Sequence, residues 1–164
     1  MFDKFGEFNS VEELNEAAAG FKREGDLESL KELAIENGLD EDDAQDYIDG
    51  LSDELATLPV AAFGKLDMEE KQVSKAGLAE RMAIGVILNM TRTMCDTEEM
   101  QRAVLHKGKR AEKLLSAMRN AAQRHKEGNM GVACGTDKQL RGLIKAYYLQ
   151  NEEDLQKELE KLYV

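Results

Sequence analysis

A succession of short amphipathic segments constrains this chain more than any other feature. Apolar side chains recur every three or four residues, which is the spacing that forms one face of an α-helix. The first three segments follow residues that cap helices and stop at glycines: Ser10, Asp26 and Asp40 precede them, and Gly25, Gly38 and Gly50 follow them. One proline, no tryptophan and few β-branched residues favour helix in the rest of the chain as well. The sequence therefore predicts an all-α fold.

The same pattern divides the chain into parts. We predict a small acidic three-helix module over residues 1–50, a linker over 51–58 and a helical bundle over 59–164. Within the bundle, residues 78–94 are apolar nearly all round, so they are expected to form the central and most buried helix. Gly77 and Gly85 would each cost about 1 kcal/mol in a helix. Their expected use is to let a neighbouring helix approach closely.

The net charge of −11 is concentrated in the first part of the chain. Residues 1–58 carry 18 acids and 4 bases, a net charge of −14, whereas residues 59–164 carry 15 acids and 18 bases, a net charge of +3. Such asymmetry indicates the kind of partner that a protein binds. Acidity of this size disfavours nucleic acids and anionic membranes as partners of the N-terminal half, and it favours basic protein surfaces.

The acidity is densest between residues 37 and 50, where six acids occur and no base. These acids are Asp40, Glu41, Asp42, Asp43, Asp46 and Asp49. An apolar strip runs among them at helical spacing and consists of Leu39, Ala44, Tyr47 and Ile48. We therefore expect a short helix with one buried side and one densely anionic side.

Three interpretations of this acidic stretch can be compared. An EF-hand calcium loop that begins at Asp40 would need glycine at its sixth position and glutamate at its twelfth. Gln45 and Leu51 stand there, so the motif fails. A solvated helix face and a mimic of nucleic acid remain. Side chains three or four residues apart on a helix lie about 5–6 Å apart, a scale similar to that of successive phosphates on one DNA strand.

A basic stretch from residue 101 to 126 is the counterpart of the acidic one, with eight bases and one acid, Glu112. A nucleic-acid-binding face could use Arg102, Lys107, Lys109, Arg110, Lys113 and Arg119, and its ligand would be DNA or a guide RNA. No aromatic residue lies between the bases, so the stacking of single-stranded bases is not supported. The alternatives are that the stretch docks against the acidic half or is simply solvated.

Metal and catalytic sites find little support in the sequence. Cys95, His106, His125 and Cys134 could in principle bind zinc or act as a Cys–His nucleophile, but their spacing matches no such motif. We therefore expect no metal, no cofactor and no enzymatic activity.

The compartment is predicted from three absences in the sequence. The two cysteines are well separated and form no CxxC pair, which fits a reducing cytoplasm. The N-terminus does not have the pattern of a signal peptide. The longest apolar run, residues 82–88, is far short of the roughly 20 residues that span a bilayer. We expect a cytoplasmic protein of a bacterial host with no membrane partner.

Two parts of the chain resemble known families. Residues 2–15 (Phe-Asp-Lys-Phe-Gly-Glu-Phe-Asn-Ser-Val-Glu-Glu-Leu-Asn), with 24–30 and 36–50, resemble the N-terminal module of small proteins on mobile elements of gut Firmicutes. Residues 132–148 are similar to the end of PcfK-like proteins, which are associated with conjugation and some of whose relatives inhibit Cas9. The positions that fit this second pattern are Asp137, Tyr147, Tyr148, Glu152, Glu153 and Asp154. The chain departs from the pattern at Lys138 and Lys145, and no histidine precedes Tyr147.

The resemblance implies a protein of a mobile element, of the anti-CRISPR kind. The expected function is inhibition of an RNA-guided nuclease, Cas9 or a similar CRISPR effector, whose nucleic-acid channel the acidic face would occupy. The alternative is a nucleic-acid-binding accessory protein of conjugation or plasmid maintenance that uses the basic stretch. A third interpretation is a structural adaptor of a phage or mobile element.

Overall fold

The computed structural model describes residues 2–128, 130–133 and 135–164 and confirms the prediction of an all-α fold. The helices are α1 (Val11–Glu24), α2 (Leu27–Glu36), α3 (Glu41–Asp49), α4 (Leu58–Val73), α5 (Leu78–Met94), α6 (Glu98–Leu105), α7 (Ala111–Arg124), α8 (Asp137–Leu149) and α9 (Glu152–Glu160). A 3₁₀ turn, Lys161–Tyr163, follows α9. A single β-bridge between Glu127 and Met130 is the only pairing of extended backbone in the described residues.

The predicted capping residues begin their helices. The Ser10 hydroxyl accepts the N–H of Glu13 at 3.3 Å, and the Asp26 carboxylate accepts the N–H of Ser29 at 3.1 Å. Each bond satisfies one of the backbone donors that the first turn of a helix leaves without a partner. The Glu13 side chain reaches back past the start of α1 and accepts the N–H of Asn9 at 2.8 Å.

The turn between α2 and α3 packs directly against the backbone of α4. Gly38 has the left-handed φ of +76° that its position after α2 predicts. A Cβ atom at Gly38 would lie 2.2 Å from the carbonyl oxygen of Gly64, and one at Gly64 would lie 2.5 Å from the carbonyl oxygen of Asn37. The two backbones can approach this closely because neither Gly38 nor Gly64 has a side chain.

Residues 51–57 connect α3 to α4, which begins at Leu58, and they are themselves docked. Leu55 and Ala56 are buried. The Asn15 side chain of α1 accepts the N–H of Ala56 at 3.0 Å and donates to its carbonyl at 2.8 Å. In the described residues, one cluster of buried side chains runs from Val11 to Leu159 and includes side chains from each of α1 to α9. The division into folding units at 51–58 stays a prediction.

Helix α5 packs against α4, α7 and α8, but it is not the most buried helix, because it has four buried residues whereas α7 and α8 have six each. Ile84, Ile87 and Leu88 face the core, whereas the side chains of Leu78, Met82 and Val86 are 64%, 63% and 55% exposed. The exposed three recur every four residues, so they form one stripe on the side opposite the core.

The expected role of two glycines near α5 is also wrong. A Cβ atom at Gly77 or at Gly85 would meet nothing within 4 Å, so neither glycine serves a close helix contact. Although α5 is rich in apolar residues, no helix in the described ranges combines the length and the apolar character needed to cross a bilayer.

Candidate functional site

The predicted apolar strip of α3 faces the core. Leu39, Ala44 and Tyr47 are 6%, 0% and 6% exposed, and Ile48 is half-buried against the same cluster. The helix is nine residues long, too short to be stable alone in water. Its contacts with α2 and with the core therefore hold it in place.

The six acids of the stretch are all exposed. Two of them contact their own helix: Asp43 accepts the N–H of Asp40 at 3.1 Å, and Asp49 accepts the amide of Gln45 at 3.0 Å. Within the part of the chain that the structure describes, none of the six forms an ion pair. The charge of this surface is therefore not neutralised by an ion pair with any described residue.

The position of the acids along α3 separates those that help the helix from those that do not. Glu41, Asp42 and Asp43 lie in the first turn, where the helix dipole favours negative charge. Asp46 and Asp49 lie toward the other end, where the dipole disfavours negative charge and where α3 has no base. Asp46 also lies within one turn of Asp42, Asp43 and Asp49, and like charges at that spacing repel. Among the described residues, the only hydrogen bond to either carboxylate is the one that Gln45 donates to Asp49.

Lys22, a base of α1, is directed to the backbone of α3 rather than to its acids. Its ammonium donates to the carbonyl oxygen of Tyr47 at 2.5 Å and lies 4.3 Å from the centroid of the Tyr47 ring. A cation at the carbonyl end of a helix opposes the negative pole of the helix dipole, and its position over the ring adds a cation–π contact. Lys22 therefore fixes α3 to α1 and leaves the acidic face open.

The arginines of the basic stretch form ion pairs with acids elsewhere in the chain. Arg102 pairs with Glu12 and with Glu98, both at 2.9 Å, and Arg119 pairs with Glu80 at 3.2 Å. Arg110 pairs with Glu7 at 3.0 Å, and Arg124 pairs with Glu160 at 3.3 Å. The basic stretch thus contacts acids of the N-terminal half at Glu7 and Glu12, and none of these arginines pairs with α3.

The lysines of the basic stretch do not lie on one helix face with the arginines. Lys109 points inward: it donates to the carbonyl oxygen of Tyr147 at 2.5 Å, and burial lowers the pKa of its ammonium below the ordinary value. Lys107 lies in the loop before α7, and Lys113 lies on α7 itself; both are exposed. Arg102 belongs to α6, so the six predicted residues are distributed over two helices and the loop between them.

A buried cluster of charged side chains is the feature that the sequence analysis missed. The Lys65 ammonium lies 2.8 Å from a Glu7 carboxylate oxygen and donates to the carbonyl of His106 at 3.0 Å. Glu69, one turn further along α4, accepts the N–H of Ala111 at 2.9 Å and so caps the start of α7 from another helix. A signal was present, because positions 65 and 69 share the helix face of buried Ala61 and Ala62.

Burial decides the protonation of this cluster. It raises the pKa of the Glu69 carboxyl to about 7 by desolvation, and among the described residues only the oxygen that caps α7 has a hydrogen-bond partner. Burial also lowers the pKa of Lys65 below its ordinary value, against the attraction of Glu7. For Glu7, burial acts to raise the pKa, but hydrogen bonds from Lys65 and Arg110 outweigh it and hold the pKa low.

The cavities beside the cluster have volumes of about 10 and 20 Å³, enough for a single water molecule and not for a substrate. The cluster therefore joins the N-terminal segment to α4 and α7. It is a structural element of the fold.

The possible zinc ligands are not brought together among the residues that the structure describes, where no metal-binding group of His, Cys, Asp and Glu occurs. Burial raises the pKa of the Cys95 thiol to about 11, so it stays protonated. His125 lies at the end of α7, where it stacks on Tyr163 and contacts Glu160 at 2.7 Å. Cys134 lies outside the described residues.

Comparisons with known proteins add no relative. A scan against protein-family models, a search of curated proteins and a search of solved structures each find no match to this chain.

Proposed function

We propose that this chain is a binding protein that presents the acidic face of α3 to a basic groove of a partner protein. The observation that carries the proposal is the set of six exposed acids on a helix whose opposite side is fixed to the core, with no ion pair to any described residue. Asp46 and Asp49 work against the dipole of their own helix, so their placement is better explained by a partner than by stability. Lys22 and the Gly38–Gly64 contact hold the face in one orientation before binding.

The partner to test first is an RNA-guided nuclease such as Cas9. The resemblance of residues 132–148 to PcfK-like proteins, some of whose relatives inhibit Cas9, supports that choice. The channel of such an enzyme holds the backbone of a nucleic-acid duplex through basic side chains. An array of carboxylates at phosphate-like spacing would compete for those side chains without any chemical reaction.

The test is target cleavage by Cas9 with guide RNA in the presence of excess protein. The native chain should inhibit cleavage, and the triple variant Asp42→Lys, Asp46→Lys, Asp49→Lys should not. This variant leaves Asp43 in place because its carboxylate caps the helix start. A matched control reverses three acids that are equally exposed and equally free of ion pairs in the described residues, namely Glu16, Asp53 and Glu127.

The outcomes test the choice of Cas9 and the role of the α3 face separately. Full cleavage with the native chain contradicts the choice of Cas9. Inhibition that survives the α3 reversal, or that is lost equally in the control, contradicts the role of the α3 face. Circular dichroism of all three proteins establishes that the variants are folded.

The alternative, binding of nucleic acid through the basic stretch, is the weaker proposal because Arg102, Arg110 and Arg119 are engaged by the chain's own acids. A mobility-shift assay with DNA and RNA decides it. Binding that disappears when Lys107 and Lys113 are neutralised would favour the alternative.

A further inference from the structure

An open groove of about 320 Å³ runs between α2 and α3, next to the acidic face. Leu27, Glu28 and Lys31 line it from α2, and Gln45 and Ile48 line it from α3. Leu27 is 41% exposed and Ile48 is half-buried, so the floor is apolar and reaches solvent. Apolar area that remains open in this way would gain free energy on being covered.

The border of the groove is strongly anionic. Helical spacing puts Glu41, Asp42 and Asp49 on the same side of α3 as Gln45 and Ile48. Glu28 adds a fourth acid from α2, and Lys31 is the one base among the described residues that line the groove. A partner that covers the apolar floor must therefore bring positive charge to both of its ends.

We propose that this groove binds an apolar side chain from a basic, helical segment of the partner protein, with the acids of the border pairing lysines or arginines on either side of it. This inference rests on the proposed function and names the kind of partner segment. A helix that carries its bases three or four residues before and after an apolar anchor has the required spacing of about 5–6 Å. Leu27 distinguishes this kind of partner from one that contacts the acids alone, because the apolar floor gains free energy only when an apolar group covers it.

The experiment uses two synthetic helical peptides of equal length and charge. Both carry lysine and arginine at every third or fourth position; one has leucine between them and the other has serine. Binding of the full-length protein is measured by fluorescence anisotropy at low and at moderate salt. We expect the leucine peptide to bind about tenfold more tightly, and we expect that ratio to persist as salt rises, because apolar burial is not screened.

Leu27→Ser should remove most of the tenfold ratio while leaving the affinity for the serine peptide unchanged. The matched control is Ile35→Ser, because Ile35 lies on the same helix, is 48% exposed and does not line the groove. Circular dichroism and the melting temperature of both variants monitor their folding. The control should retain the ratio.

The results distinguish this inference from the proposed function. Equal binding of the two peptides, or equal effects of Leu27→Ser and Ile35→Ser, would contradict the proposal that the groove binds an apolar side chain. The proposed role of the acidic face would be unaffected. If the triple reversal of Asp42, Asp46 and Asp49 fails to weaken either peptide, the proposed function itself is wrong. If the leucine peptide binds more tightly through Leu27 but the native chain does not inhibit Cas9, the groove is supported and the partner is a protein other than Cas9.

Discussion

Glu69 is the side chain whose chemistry depends most on the surrounding fold. It is 5% exposed, one of its oxygens caps α7, and the other has no hydrogen-bond partner among the described residues. A proton on the second oxygen removes the buried charge without disturbing the cap. At pH values between the ordinary pKa of 4.5 and the raised pKa of about 7, Glu69 therefore holds a proton in the native chain and not in the unfolded chain.

The stability contributed by Glu69 is consequently present below about pH 4.5 and lost as the pH rises to about 7. Glu69→Gln places a neutral amide there at every pH. The free energy of unfolding of the native chain, relative to this variant, should fall by up to about 3 kcal/mol over that interval. Urea unfolding at a series of pH values measures the difference. If the free energies of unfolding of the native chain and of Glu69→Gln change in parallel with pH, Glu69 is not protonated in the folded chain.

The adjacent Tyr147 and Tyr148 offer a matched pair of substitutions. Both side chains are buried, but the Tyr147 hydroxyl accepts the N–H of Arg110 at 2.9 Å, whereas the Tyr148 hydroxyl has no partner among the described residues. Tyr147→Phe should lower the free energy of unfolding by about 1 kcal/mol. Tyr148→Phe should be neutral or stabilising, because it removes a buried hydroxyl that makes no bond. Equal effects in urea unfolding would contradict this assignment of partners.

Among the helices and turns, the contact between Gly38 and Gly64 fixes how the first three helices lie on α4. Gly64→Ala would place a Cβ atom 2.5 Å from the carbonyl oxygen of Asn37, so we expect a loss of at least about 1–3 kcal/mol. Gly85→Ala, in the open part of α5, should gain about 0.5–1 kcal/mol from helix propensity alone. Thermal unfolding of the two variants should therefore shift the melting temperature in opposite directions. A shift in the same direction would contradict the close approach.

Helix α3 leads to a prediction in which stability and binding change in opposite directions. Asp46→Asn with Asp49→Asn keeps an acceptor oxygen at each position but removes charge from the unfavourable end of the helix. The melting temperature should rise by roughly 1–4 °C at low salt, and the rise should shrink as salt is added. The same variant should inhibit Cas9 less effectively. A lower melting temperature would show that the two carboxylates stabilise the fold after all.

The elements themselves could be predicted from the sequence because their signals are local. Ser10, Asp26 and the apolar strip around Tyr47 act within one or two turns, and the structure confirms them. The environment of α5 could not be predicted this way. An apolar sequence shows that a helix can be buried, whereas the arrangement of its neighbours decides which face is buried. The neighbours of α5 cover Ile84, Ile87 and Leu88 and leave Met82 exposed.

In the molecule as a whole, the exposed apolar stripe of α5 and the net charge have opposite effects on self-association. Leu78, Met82 and Val86 form an apolar surface of the kind that promotes association, while a net charge of −11 keeps copies apart. We expect sedimentation to show self-association at high salt, where repulsion is screened. Met82→Gln with Val86→Gln should reduce that association and change the free energy of unfolding by less than about 0.5 kcal/mol. A larger loss would mean that the stripe contributes to the core.

Sequence patterns could not predict the contacts between residues that lie far apart in the chain. Glu7 and Arg110 are separated by 103 positions, and Asn9, which accepts the N–H of Lys107 at 3.0 Å, is separated from it by 98. Nothing local to either residue indicates the other. The charge pattern did predict an exposed acidic face on α3, because exposure of charge is the default for a carboxylate. The buried group of Glu7, Lys65 and Glu69 required knowledge of which segments meet.

These long separations also set an order in time. A ribosome adds about 5–20 residues per second, so roughly 5–20 seconds pass between the synthesis of Glu7 and that of Arg110. During that interval the first three helices can form, but the segment before α1 has neither Lys107 nor Arg110 to bind. The contacts of Glu7 and Asn9 with Arg110 and Lys107 must therefore form after those that Lys4 and Phe5 of the same segment make with Glu32 and Glu36 of α2.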